Sequence, residues 1–260
     1  MLSAFRRLTC RVFLLLVAAA PLALLMATPS RAQGGPPLIT DDPDTPGDGH
    51  WEINLGAVPQ ALPQVTYGDL LHVDLNYGLG DRIQLKAETG YIVAKEAHWY
   101  GAGMDDFVYG VKYRFYETGT EDEGIRISTY PQVETAPSFG NHHTPYTTTE
   151  TVYYLPIEVK EGFGTWALSQ EVGYEVGGMS GHGWAGGIAA SLKVAEHAEL
   201  LGELHDGTDM DFPIQGPMFQ VGARIQQNDL LAWQFAIGRM ASSAPIGLST
   251  IGYLGVKLTF

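Results

Sequence analysis

The sequence predicts an all-β fold, a transmembrane up-and-down antiparallel β-barrel of about twelve strands that follows a cleaved signal peptide. Three observations carry this prediction. The last stretch, Ser249 to Phe260, places Leu254, Val256, Leu258 and Phe260 on one face and sets Gly255, Lys257 and Thr259 between them. That is the period of two of a strand with one greasy face. From Trp51 onward, roughly a dozen such stretches of about nine to eleven residues recur, the length a tilted membrane strand needs. Their greasy faces end in Trp51, Tyr77, Tyr91, Phe115, Trp166 and Trp184, as the aromatic girdles of membrane strands do.

In chain order, residues 1–32 read as an export signal. Arg6, Arg7 and Arg11 precede an apolar run from Val12 to Ala27, and Ser30 and Ala32 supply the small residues of a cleavage site. Cys10 is the single cysteine. Cleavage after Ala32 therefore leaves a mature chain without thiol chemistry or a disulfide framework. Four arginines leave with the signal, which takes the net charge from −14 to −18. So acidic a chain opposes binding to nucleic acid or electrostatic docking on anionic membrane surfaces. No later segment reaches the ~20 apolar residues of a membrane helix, so insertion has to be by barrel.

Residues 33–50 are expected to form an acidic, Pro- and Gly-rich periplasmic lead-in, solvated and without regular structure. Asp41, Asp42, Asp44 and Asp48 lie close together there, but without the glycine and distal glutamate of an EF-hand loop. The barrel is expected over 51–260. Short turns are predicted at GLGDR, KEGFG, AEH and QND, and longer linkers near 59–69, 92–105, 135–150, 177–183, 206–216 and 240–248. This asymmetry matches short periplasmic turns and longer outer loops. A soluble sandwich or lipocalin-like barrel shows the same alternation, but about twelve strands would then enclose a wide apolar cavity.

The stretch PPLITDDPDTPGDGHWEINL, with Pro37, Thr40-Asp41-Asp42-Pro43, Thr45-Pro46, Gly49 and Trp51-Glu52, resembles the opening of the outer-membrane transporter family associated with meta-cleavage phenol degradation. The resemblance covers about twenty residues. It implies an outer-membrane barrel passing small molecules and carries over no catalytic residue. The chain end is similar to the assembly signal of such barrels through Tyr253, Gly255, Leu258 and Phe260. The implied partners are outer-membrane lipid, the barrel-assembly machinery and a small-molecule solute, with no cofactor and no metal.

The candidate functional residues are the charges on the faces opposite the greasy ones. Inward acids are expected at Glu52, Asp74, Glu88, Glu171, Glu175, Glu199 and Glu203, and inward bases at Lys86, Lys112, Arg114, Arg126, Arg224 and Lys257. Glu158, Lys160 and Lys193 fall on the same faces. Bases dominate the third to fifth strands, and acids the seventh and ninth. Charges so confined either pair across the lumen or impose a transverse field on a water path. These faces make a passive channel the leading expectation. A hydrolase built on Ser169 or Ser191 with His205 is the alternative, along with a closed structural barrel. His142-His143 is a weak metal motif, since neighbours on an extended chain point opposite ways.

Overall fold

The computed structural model describes residues 35–61, 65–96, 98–120, 122–136, 151–177, 181–207, 217–241 and 248–260. His142 and His143 lie outside them. The described residues contain fourteen strand segments. In order these are β1 (Trp51–Ala61), β2 (Val65–Leu79), β3 (Ile83–Glu96), β4 (Trp99–Met104), β5 (Phe107–Gly119), β6 (Glu123–Thr129) and β7 (Gln132–Thr135). There follow β8 (Val152–Phe163), β9 (Trp166–Gly177), β10 (Gly181–Ala195), β11 (Ala198–Asp206), β12 (Met218–Asn228), β13 (Leu231–Ala241) and β14 (Leu248–Thr259).

All pairings are antiparallel, and the sheet closes on itself. Two pairs of segments are halves of one long strand. β4 and β5 both pair with β3, and β6 and β7 both pair with β5 and β8, so the barrel has twelve strands. The second interruption has a clear cause. Tyr130 and Pro131 separate β6 from β7, and by register Pro156 of β8 faces the same gap. Neither proline can donate to the ladder. The Tyr130 amide and the Thr129 hydroxyl both use the Pro156 carbonyl, at 3.3 and 2.9 Å.

Closure joins the first strand to the last. β1 pairs with β14 from Glu52↔Thr259 to Ala61↔Thr250. Trp51 and Phe260 exchange both backbone hydrogen bonds, at 2.7 and 3.1 Å. Two expected linkers are in fact strand. β1 and β2 leave only 62–64 between them, and 92–105 is the β3–β4 hairpin and its continuation. The turn signals there are weak, and the two strands simply run further than one membrane crossing needs.

The barrel is inside out relative to a soluble one. Its outer face carries exposed Leu71, Tyr109, Val111, Leu155, Val172, Trp184, Leu204, Phe219, Ile237 and Leu254. Its inner face buries Asn54, Asp74, Gln84, Lys112, Glu158, Gln220, Gln234 and Lys257. A continuous apolar exterior of this size needs lipid to cover it. Aromatics pair across neighbouring strands near both ends, Trp51 with Tyr77 and Tyr174 with Trp184, each at 4.9 Å between ring centres. Among the described residues no helix is long and apolar enough to cross a membrane.

Candidate functional site: the barrel lumen

The lumen is occupied by the chain's own residues 35–46. Asp42, Pro43, Asp44 and Thr45 are buried, where the sequence led us to expect a solvated lead-in. The reason is charge complementarity, which no local pattern reveals. Pro36, Pro37, Pro43 and Pro46 keep the segment from joining the sheet as a strand. Five of its backbone amides are met locally or by the wall. Asp41 Oδ1 accepts from the Asp42 amide at 2.7 Å, and Asp42 Oδ1 from the Asp44 amide at 2.9 Å. Glu203 accepts from the Ile39 and Thr40 amides at 3.1 and 2.5 Å, and Glu171 from the Asp41 amide at 3.0 Å.

The carboxylates of the same segment face the basic wall. Lys112 Nζ lies 2.9 Å from Asp41 and 3.6 Å from Glu158, and it sits 4.6 Å above the Tyr130 ring. Lys160 contacts Asp42 at 2.7 Å and Asp44 at 2.5 Å. Arg126 reaches Asp44 at 2.8 Å, and Arg114 is 3.8 Å from it. Glu117 adds contacts to both arginines at 3.4 and 3.2 Å. Thus the acidic wall binds the segment's backbone amides, and the basic wall binds its side chains.

Two close approaches seat the segment against the wall. A Cβ at Gly78 would stand 1.7 Å from the Gly47 carbonyl oxygen, and one at Gly187 would stand 2.0 Å from Thr40 Oγ1. Leu38 packs with Ala189, Leu201, Ala236 and Tyr253. The Pro36 carbonyl accepts from Arg224 at 3.2 Å and from Gln234 at 2.6 Å.

The other expected lumen charges pair within the wall. Lys257 meets Glu52 at 3.1 Å, Arg224 meets Glu199 at 2.9 Å, and Lys86 contacts Glu88 and lies 4.0 Å from Asp74. Glu175 is buried on β9. Lys193 departs from the expectation. It is exposed and bridges to Asp122 at 2.5 Å, because it sits at the end of β10 beside a neighbouring turn. The four residues of the end motif divide by face. Tyr253 is buried with its ring over Gly255 and Gly56, whereas Phe260 is exposed and Leu258 partly so.

Sequence reasoning missed Asp69. Strict alternation with Leu71 and Val73 puts it on the lipid face, and it fell in an expected linker. The register between β2 and β3 slips between Asp69 and Leu71. The extra residue, Leu70, is exposed, so both Asp69 and His72 turn inward. A second slip, between Tyr91↔Met104 and Glu88↔Val108, places Asp105 and Asp106 at a break beside them. Ser169 and Ser191 line a cavity of about 40 Å³ with Lys160, Glu199 and Arg224, whereas His205 lines a different one of about 100 Å³. Among the described residues no group of three His, Asp or Glu side chains converges to hold a metal ion.

No protein-family model matches the chain, and no curated protein matches it. Solved structures do. The fold is similar to that of the COG4313 outer membrane channel from Pseudomonas putida F1, with a TM-score of 0.61 at 14% identity over 87% of this chain and 100% of that one. It is also similar to the KdgM porin, with a TM-score of 0.52 at 10% identity over 80% and 99%. The NanC porin gives 0.52 at 8% identity over 79% and 98%. At these identities the likeness is one of fold, that of an outer-membrane β-barrel.

Proposed function

We propose that this protein resides in the outer membrane and passes small solutes passively, with residues 35–46 forming the constriction of its lumen. The observation that carries this reading is the wall of buried polar and charged side chains inside an apolar exterior, a surface built to face water or a polar solute. Similarity in fold to barrels described as channels and porins supports it. So does the resemblance of the opening motif, which implies passage of small molecules without assigning a substrate; small aromatic or hydrophobic compounds are one candidate class. In this reading Glu52, Asp74, Glu88, Glu171, Glu175, Glu199 and Glu203 and the bases facing them line the path. The constriction is held by charge pairs. Asp41, Asp42 and Asp44, together with Glu117 and Glu158, offset the field of Lys112, Arg114, Arg126 and Lys160, leaving a weak cation preference from the remaining acids.

Planar-bilayer recording of the refolded mature chain tests this. The unaltered protein should give small unit conductance steps. The triple variant Asp41→Asn, Asp42→Asn, Asp44→Asn should give steps several-fold larger and shift preference toward anions, because four wall cations lose their carboxylate partners in the inner segment. Silence from both proteins would favour the closed structural barrel.

A further inference from the structure

Beside the inner segment lies the cavity of about 100 Å³, and its lining is divided in character. Asp69, Asp74 and Glu88 make it acidic where β2 and β3 contribute, and Leu38, Val58, Ile251 and Tyr253 add an apolar patch to an otherwise polar lining. Asp69 and Asp74 are 8% and 2% exposed, and in each the Oδ1 atom accepts no hydrogen bond. Their other oxygens are engaged. Asp69 Oδ2 is 3.5 Å from His72 Nδ1, and Asp74 Oδ2 accepts from Asn54 at 3.0 Å and from Asn76 at 2.9 Å.

Local charge is unbalanced as well. The one lysine in the lining, Lys86, is bound to Glu88 and lies 4.0 Å from Asp74 Oδ1. Asp105 stands next to Asp69, which crowds a further buried acid against it. Buried carboxylate oxygens without donors, among further carboxylates, favour a cation that brings its own N–H groups. The carboxylates do not converge as metal ligands would, and the apolar patch suits an organic body.

We propose that this cavity is a binding subsite for a small amphipathic organic cation, a primary ammonium whose head meets an unsatisfied oxygen of Asp69 or Asp74 and whose hydrocarbon body lies against Leu38, Ile251 and Tyr253. The proposal rests on the channel reading in one respect, that a solute reaches the lumen, and it names a class for that solute. Its test measures binding and not passage, so the two readings fail separately.

Isothermal titration of the folded mature chain in detergent with n-butylammonium chloride is the experiment. Saturable binding of n-butylammonium is expected, with n-butanol and n-butyrate at least tenfold weaker. Asp69→Asn or Asp74→Asn should weaken the ammonium at least tenfold, while the charge-keeping Asp69→Glu stays within about threefold of the unaltered protein. Lys193→Gln, at the exposed end of β10, should change nothing. Each variant is first checked for heat-modifiable migration, which shows that the barrel has formed. Equal binding of n-butanol, no saturable binding of the amine, or full affinity in both asparagine variants would overturn the proposal.

Discussion

Lys112 illustrates how a single lumen charge is held. It is fully buried between Asp41 and Glu158 over the face of Tyr130. Removing one partner from such a set leaves the others uncompensated, which costs about 3–5 kcal/mol. Lys112→Met should therefore destabilise the folded barrel by that order in urea titrations from lipid vesicles. Adding Asp41→Asn should recover part of the loss, since one of the two stranded carboxylates is removed. Gly187 poses a different residue-scale constraint, one of space. The alanine Cβ would collide with Thr40 Oγ1 and crowd the His205 ring. Gly187→Ala should loosen the inner segment and raise unit conductance. Adding Thr40→Ala, which deletes the colliding oxygen, should bring conductance back toward the original value. A double variant as conductive as Gly187→Ala alone would show that Thr40 is not the contact that matters.

Among the elements, β14 and the inner segment have opposite relations to the sheet. β14 is locked on both sides by continuous ladders to β1 and β13, and its outward face ends in Leu258 and Phe260. Replacing both with Ser leaves the backbone pairing available but removes apolar surface from the lipid side. Loss of heat-modifiable barrel from the outer membrane is expected, because those side chains lie on the apolar outer face and in the motif proposed as the assembly signal. Unchanged amounts would separate assembly from this motif. The inner segment, by contrast, belongs to no ladder beyond its exit at Gly49 and His50 beside Gly78. It is held by side chains alone, most of them charged, in a confined space where salt screens weakly. Moderate salt should therefore leave the conductance of the unaltered barrel without the step increase expected of the triple asparagine variant.

For the molecule as a whole, strand number, the direction of each face and closure on Phe260 were legible in the sequence, because lipid outside and water inside force a period of two on every membrane strand. The inward charges from Glu52 to Lys257 followed from that same parity, with Lys193 at the end of β10 the exception. Parity fails where the register slips. Leu70 adds one residue to β2, and everything before it changes face, which is why Asp69 could not be placed by counting. Nor could counting foresee the position of residues 35–46. Their prolines and aspartates describe a chain that avoids regular structure, and that description fits a solvated leader as well as a lumen filler. What separates the two is the meeting of Asp41, Asp42 and Asp44 with Lys112, Arg114, Arg126 and Lys160, residues far apart in the chain. The sequence by itself determined the barrel and which face of each strand turns inward wherever the register does not slip, since both follow from local alternation. Only the tertiary structure decided that the two walls grip the chain's own acidic segment, because long-range charge pairing depends on which strands the closed sheet sets face to face.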